Sequence, residues 1–221
     1  MNTDLTVKDH AVNAARSLLK GVPYVGNSLD QFIFGPLQER RMRRIEVTLS
    51  EVASALGPQG SMLLVQEQFV NLLEAVAPSL SRTTDEAKRE RFRDLLKNAG
   101  QLTPNDPKWD EASLAAELLE ELDGPALAIL AAITRCNDPH GGKLTIASRP
   151  VAQVFEGDFN YDAPGSPQQL LPYEWIVVEF WARELKSKRL IWYSSMDARG
   201  GFGGLRLAPL GDFLIRWTLS K

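Results

Sequence analysis

The sequence predicts a mainly α protein, with a helical bundle over residues 1–123 followed by an α+β region over 124–221 that carries a short β-hairpin. Three observations lead there. Apolar residues recur at steps of three and four through most of the first 135 positions, the spacing of one helix face. Composition changes after Cys136, where Asn137-Asp138-Pro139-His140-Gly141-Gly142 reads as a turn. Finally, Leu190-Ile191-Trp192-Tyr193 has strand composition and precedes a stretch, Met196 to Gly204, that holds four glycines. The length of 221 residues admits one large domain or two small ones. With 44% hydrophobic and 24% charged residues the chain sits among ordinary globular proteins. A net charge of -3 excludes a protein held on nucleic acid by bulk charge and leaves room only for a local basic face.

The elements follow in order. Leu5, Val12, Ala15, Leu18 and Leu19 mark a first helix over about 5–20, stopped by Gly21-Val22-Pro23. Asn27 or Ser28 caps a second, which Gly35-Pro36 interrupts. From Leu37 to Leu56 a helix carries the seam Met42, Ile45, Leu49, Val52 and Leu56, a set suited to packing inside a bundle or to pairing two protomers, and Gly57-Pro58 ends it. A third helix over 65–77 turns Phe69, Leu72, Leu73 and Val76 inward, with Pro78 near its end. Thr84 is expected to cap a fourth, with Asp85 and Glu86 in its first turn and Phe92, Leu95 and Leu96 as its buried stripe. Residues 111–122 read as an acidic amphipathic helix, and Gly124-Pro125 restarts an apolar helix to about Thr134.

Residues 140–171 read as irregular, with a middle helix expected around Arg149 to Phe155 plus an insertion. Pro172 is expected to open an aromatic-rich helix in which Trp175, Val178, Trp181, Ala182 and Leu185 share a face. After the strand at Leu190–Tyr193 and a long hairpin loop, a second short strand at Leu205–Leu207 leads to a last helix opened by Pro209.

This order of helix, irregular segment, helix, strand, glycine-rich hairpin, strand and closing helix resembles the winged-helix superfamily. The resemblance rests on the helix end Leu185 to Leu190, the strand Ile191 to Tyr193, the polar tip Asp197-Ala198-Arg199 and the closing Leu205-Arg206-Leu207-Ala208-Pro209-Leu210-Gly211-Asp212-Phe213-Leu214. It covers less than half of the chain. The front half resembles helical regions of bacterial proteins of unassigned function through Gly21-Val22-Pro23-Tyr24-Val25-Gly26, Phe34-Gly35-Pro36 and the basic run Arg40 to Arg44.

In DNA-binding winged helices the third helix enters the major groove and the wing touches phosphates or the minor groove. The resemblance makes that helix 172–188, whose Glu174, Glu179 and Glu184 offset Arg183, Lys186 and Lys188. The DNA-contacting candidates are therefore Lys186, Lys188 and Arg189 at the helix end with Arg199 and Arg206 on the wing. Chemistry-bearing residues are few. His10 and His140 belong to no metal-ligand spacing, Cys136 is the lone cysteine, and the run Gly200 to Gly204 lacks the Lys-Ser/Thr ending of a phosphate loop. No catalytic residue, metal or cofactor is expected.

The favoured reading is a non-enzymatic bacterial regulatory or adaptor protein whose winged-helix region contacts another protein, with DNA binding, up to a DNA-binding transcriptional regulator, as a variant of the same class and an enzyme ranked third. The runner-up is a membrane-associating effector that brings the segment Val22 to Pro36 and the basic run to a lipid surface; the Met42 to Leu56 seam is expected to pack inside one bundle, with a homodimer as the alternative. A cytoplasmic location is expected, because the first ten residues carry Asp4, Asp9 and His10 instead of a basic start and apolar run, and no stretch reaches the roughly 18 apolar residues of a membrane span.

Overall fold

Seven helices and six strands occur among the residues that the computed structural model describes, which are 36–57, 66–135, 144–147, 150–156, 168–193, 195–196 and 201–219. The helices expected over 5–20 and from Asn27 lie outside them, as do His10, Cys136, His140 and Arg199. The chain divides into two compact units, Met1–Glu121 with Trp217–Lys221, and Leu122–Arg216.

The first unit contains α1 (Pro36–Leu56), α2 (Glu67–Arg82), α3 (Glu86–Ala99) and α4 (Lys108–Glu120). Helix α1 packs on α2 and α3, and α4 packs on the same pair. Ile45, Leu49 and Val52 of the seam are buried in this unit, while Met42 and Leu56 at its ends are half-buried. Phe69, Leu72, Leu73, Val76 and Leu80 of α2 and Phe92, Leu95 and Leu96 of α3 complete the center of the core.

Two boundaries differ from the sequence reading. Asp85, and not Thr84, caps α3, its carboxylate accepting from the backbone N–H of Ala87 at 2.9 Å and of Lys88 at 3.4 Å. A carboxylate does better than a hydroxyl there because it also meets the positive end of the helix dipole. Helix α2 runs through Pro78 to Arg82, with the proline exposed on its outer face. Leu80 beyond it is fully buried, so packing carries the helix past the hydrogen bond that proline removes.

Polar groups close the helix ends. Lys88 is buried and its Nζ donates to the Glu120 carbonyl at 2.9 Å, satisfying an otherwise unpaired acceptor at the negative end of α4. Arg44 donates to the Ser81 carbonyl at 3.1 Å near the end of α2, and Asn98 donates to the Trp217 carbonyl at 2.8 Å.

The second unit holds α5 (Gly124–Arg135), β1 (Leu144–Ala147), β2 (Val151–Glu156), β3 (Gln168–Glu174), α6 (Trp175–Ser187), β4 (Ile191–Trp192), β5 (Ser195–Met196), β6 (Phe202–Leu207) and α7 (Pro209–Thr218), whose last two residues belong to the first unit. The sheet is antiparallel in the order β3-β2-β1-β6-β4, with β5 also paired to β6. Ile191 and Trp192 face Leu207 and Arg206, and Ser195 and Met196 face Gly203 and Phe202 in the same register. Strands β4 and β5 thus share one register against β6, and Phe202 to Gly204, expected in the loop from Met196 to Gly204, are strand residues.

Among the described residues of 140–171 there are strands, and 150–155, where most of a middle helix was expected, is not helical. Val151–Glu156 is strand β2, paired with β1 on one side and β3 on the other. Its Val, Val, Phe content favors a pleated, half-buried backbone over a helix. Ile146, Val154 and Phe202 stand side by side across three strands, all buried. Pro172, expected to open the aromatic helix, sits in β3 where its register with β2 shifts between Val151 and Gln153. An irregular strand pairing is where a residue without an N–H costs least.

Leu49→Asp should destabilise the first unit by roughly 3 to 5 kcal/mol, since it buries a carboxylate among apolar neighbours; thermal unfolding followed by circular dichroism reads the loss, and an unchanged midpoint would contradict the packing described. A second substitution tests the other unit. A Cβ on Gly211 would lie 2.0 Å from the Leu190 carbonyl oxygen, a backbone atom that cannot swing aside. Gly211→Ala should therefore cost about 3 kcal/mol, measured as a shift of the denaturant midpoint.

Candidate functional site

Helix α6 and the hairpin after it form the candidate site. Val178, Ala182 and Leu185 step by four and three along α6 and are fully buried, which fixes how the helix lies on the unit. The opposite stripe, Ile176, Phe180, Arg183 and Ser187, steps by four, three and four and is exposed. Ile176 is 66% and Phe180 55% accessible, and Phe180 meets Trp181 edge to face at 5.3 Å. Glu179 accepts from Arg183 at 2.7 Å, one turn further on. The outward face of α6 is thus apolar in its first half and carries an acid–base pair at its middle.

The end of α6 is a left-handed cap. Arg189 has φ +59°, its N–H donates to the Lys186 carbonyl at 2.9 Å, and the Leu190 N–H donates to the Leu185 carbonyl at 2.8 Å. Leu185 and Leu190 are both fully buried, giving the apolar contact that accompanies this motif. The Leu190 carbonyl then accepts from the Ala208 N–H at 3.0 Å, joining the start of the hairpin to its end. Phe202 sits under this arrangement, 5.4 Å from the Trp175 ring and 4.8 Å from the Tyr193 ring.

Four of the five DNA-contacting candidates fall among the described residues, Arg199 lying outside them. Lys186 places its Nζ 3.7 Å above the Tyr193 ring, where a cation is held by the aromatic face. Lys188 is half-buried at the cap and its N–H donates to the Glu184 carbonyl at 2.9 Å. Arg189 and Arg206 are exposed, and Arg206 lies opposite Trp192 across the hairpin. Trp192 is itself 56% accessible. Sequence reasoning missed Ile176, Phe180 and Trp192 as surface groups. A signal for the first two was present: 175–178 and 180–181 are all apolar, more than one buried stripe of a helix can use.

Elsewhere, the first unit has an open groove of about 550 Å³ whose charged lining is Glu51, Glu90, Asp94, Arg91, Arg93 and Lys97. Arg93 bridges Glu51 at 3.2 Å and Glu90 at 3.1 Å. The hydrogen bond that Arg93 donates to the Glu51 carboxylate raises its guanidinium above the ordinary value, against the opposing effect of burial, with the nearby Glu51, Glu90 and Asp94 charges adding to the rise. Its acids and bases neutralise one another, so the groove offers no net charge to a ligand. Of the basic run, Arg40, Arg41 and Arg43 are exposed and Arg44 is engaged with Ser81, while the segment 22–35 lies outside the described residues. Among the described residues no group of His, Cys, Asp and Glu is placed to hold a metal, and no helix is long and apolar enough to cross a membrane.

Arg189 gives a direct test of the cap. A non-glycine residue in the left-handed region costs about 1 kcal/mol relative to glycine, so Arg189→Gly should raise stability by about that amount in urea unfolding, whereas a loss would contradict the cap geometry. No protein-family model matches the chain, and neither curated proteins nor solved structures yield a match, so the geometry alone carries the functional reading.

Proposed function

We propose that the chain is a non-enzymatic regulatory or adaptor protein whose second unit is a winged-helix-like module used for protein contact. The order α5, β1, α6, hairpin β4/β5–β6 and α7 supports the winged-helix reading, with the β2–β3 hairpin occupying the place where a middle helix was expected. The observation that carries protein contact is the outward face of α6, where Ile176 and Phe180 stand exposed. A helix that reads bases needs donors and acceptors on that face, and phosphate contact needs cations. Ile176 and Phe180 offer neither. Burying each against an apolar partner is worth about 1.5 to 3 kcal/mol.

DNA contact is the second reading, on the strength of the exposed Arg189 and Arg206 at the cap and hairpin. Two exposed cations make a weak patch, since phosphate binding rests on several.

The two readings separate experimentally. A photo-reactive amino acid replacing Phe180 should cross-link to protein in cells, with the same group at exposed Leu114 of the first unit giving no such product and Ile176→Asp abolishing it. Duplex DNA titrated against the tryptophan fluorescence of the chain should bind more weakly than about 1 μM at physiological salt, in the nonspecific range. A nanomolar complex with one defined site, lost in Arg206→Ala, would instead support the DNA reading.

A further inference from the structure

The exposed stripe of α6 has a property that the contact reading does not by itself require: it is complementary to itself. Ile176 and Phe180 are one turn apart and exposed. On the same side, Glu179 and Arg183 are also one turn apart, with the side chain of Arg183 54% and that of Glu179 25% accessible. A two-fold related pair of surfaces must complement itself, because each patch meets its own copy. When two such helices lie antiparallel about an axis close to Phe180, the acid of each comes to the level of the base of the other. A parallel arrangement would set acid against acid.

We infer that α6 pairs antiparallel with α6 of a second copy of the chain, with Phe180 against Phe180 at the axis and Arg183 of each copy beside Glu179 of the other. The inference rests on the protein-contact reading and names its partner. Each Arg183 then lies between two carboxylates, its own Glu179 and that of the second copy, and the existing ion pair pre-orients the guanidinium for both. Ile176 falls outside the central pair and covers the aliphatic part of Arg183 of the second copy, taking two apolar side chains per copy out of water. One helix face is smaller than the roughly 800 Å² per partner of a stable complex. The dimer is therefore reversible and depends on concentration.

The test uses the full chain and sedimentation equilibrium over a range of concentrations, with circular dichroism to confirm that each variant is folded. The wild type should show a monomer–dimer equilibrium. Arg183→Glu and Glu179→Arg, each alone, should weaken dimerisation by about tenfold or more, because like charges then meet twice across the axis. An equimolar mixture of the two variants should restore it, since every acid again faces a base; this rescue also shows that neither variant merely misfolded. Phe180→Asp should stay monomeric alone and in every mixture. A wild type that remains monomeric throughout, a dimer indifferent to both reversals, or a mixture that fails to recover each overturns the pairing. These results are distinct from failure of the contact reading itself: with self-pairing overturned, the photo-reactive group at position 180 still cross-links to a different protein if the contact reading holds, and cross-links to none if it fails.

Discussion

The second unit depends on the backbone of Leu190. Its N–H closes the left-handed cap of α6, its carbonyl accepts from Ala208 at the far end of the hairpin, and the backbone of Gly211 lies against that same carbonyl. One residue thus fixes the exit of α6, the pairing of β4 with β6 and the approach of α7. Because its side chain is fully buried with Leu185, the corner has no slack to shift. The outward stripe of α6 is a consequence: with Leu185, Ala182 and Val178 committed inward, the helical repeat leaves Ile176, Phe180 and Arg183 facing solvent.

Two cations of the unit are held by neighbouring side chains. Lys186 lies over Tyr193, whose ring packs on Phe202, so the charge is part of the aromatic cluster that joins helix to hairpin. Arg183 is tied to Glu179. Arg189 and Arg206 are exposed, one at the cap of α6 and the other on the hairpin. Phosphate recognition draws on several cations following a backbone, and the apolar stripe draws only on water exclusion.

Helix periodicity made most of the first unit legible. Ile45, Leu49 and Val52, or Phe92, Leu95 and Leu96, repeat at three and four because one face of each helix meets the core, and that rule needs no knowledge of the partner. Strands β1 to β3 escaped for a physical reason. Thr145 and Phe155 are buried on one side of the sheet while Ile146, Ala152 and Val154 are buried on the other, so burial does not alternate and the period of two is lost. Pro172 adds to the concealment, since a proline reads as a helix start until the irregular pairing around it is seen.

The same reasoning explains why the candidate surface was only half legible. Glu174, Glu179 and Glu184 can be counted from the sequence, and their charge already argued against base reading by α6. Which apolar residues of α6 face outward cannot be counted, because Trp175, Ile176, Val177, Val178, Phe180 and Trp181 surround the helix. An amphipathic helix declares its buried side by contrast, and here the contrast is missing over the first two turns. Tertiary packing supplies it by seating Val178 and the half-buried Trp175 beneath, with Trp175 against Phe202, which leaves Ile176 and Phe180 no place inside. An excess of apolar residues over what one face can bury is therefore the feature that connects the fold of this unit to its surface, because it leaves Ile176 and Phe180 exposed on α6.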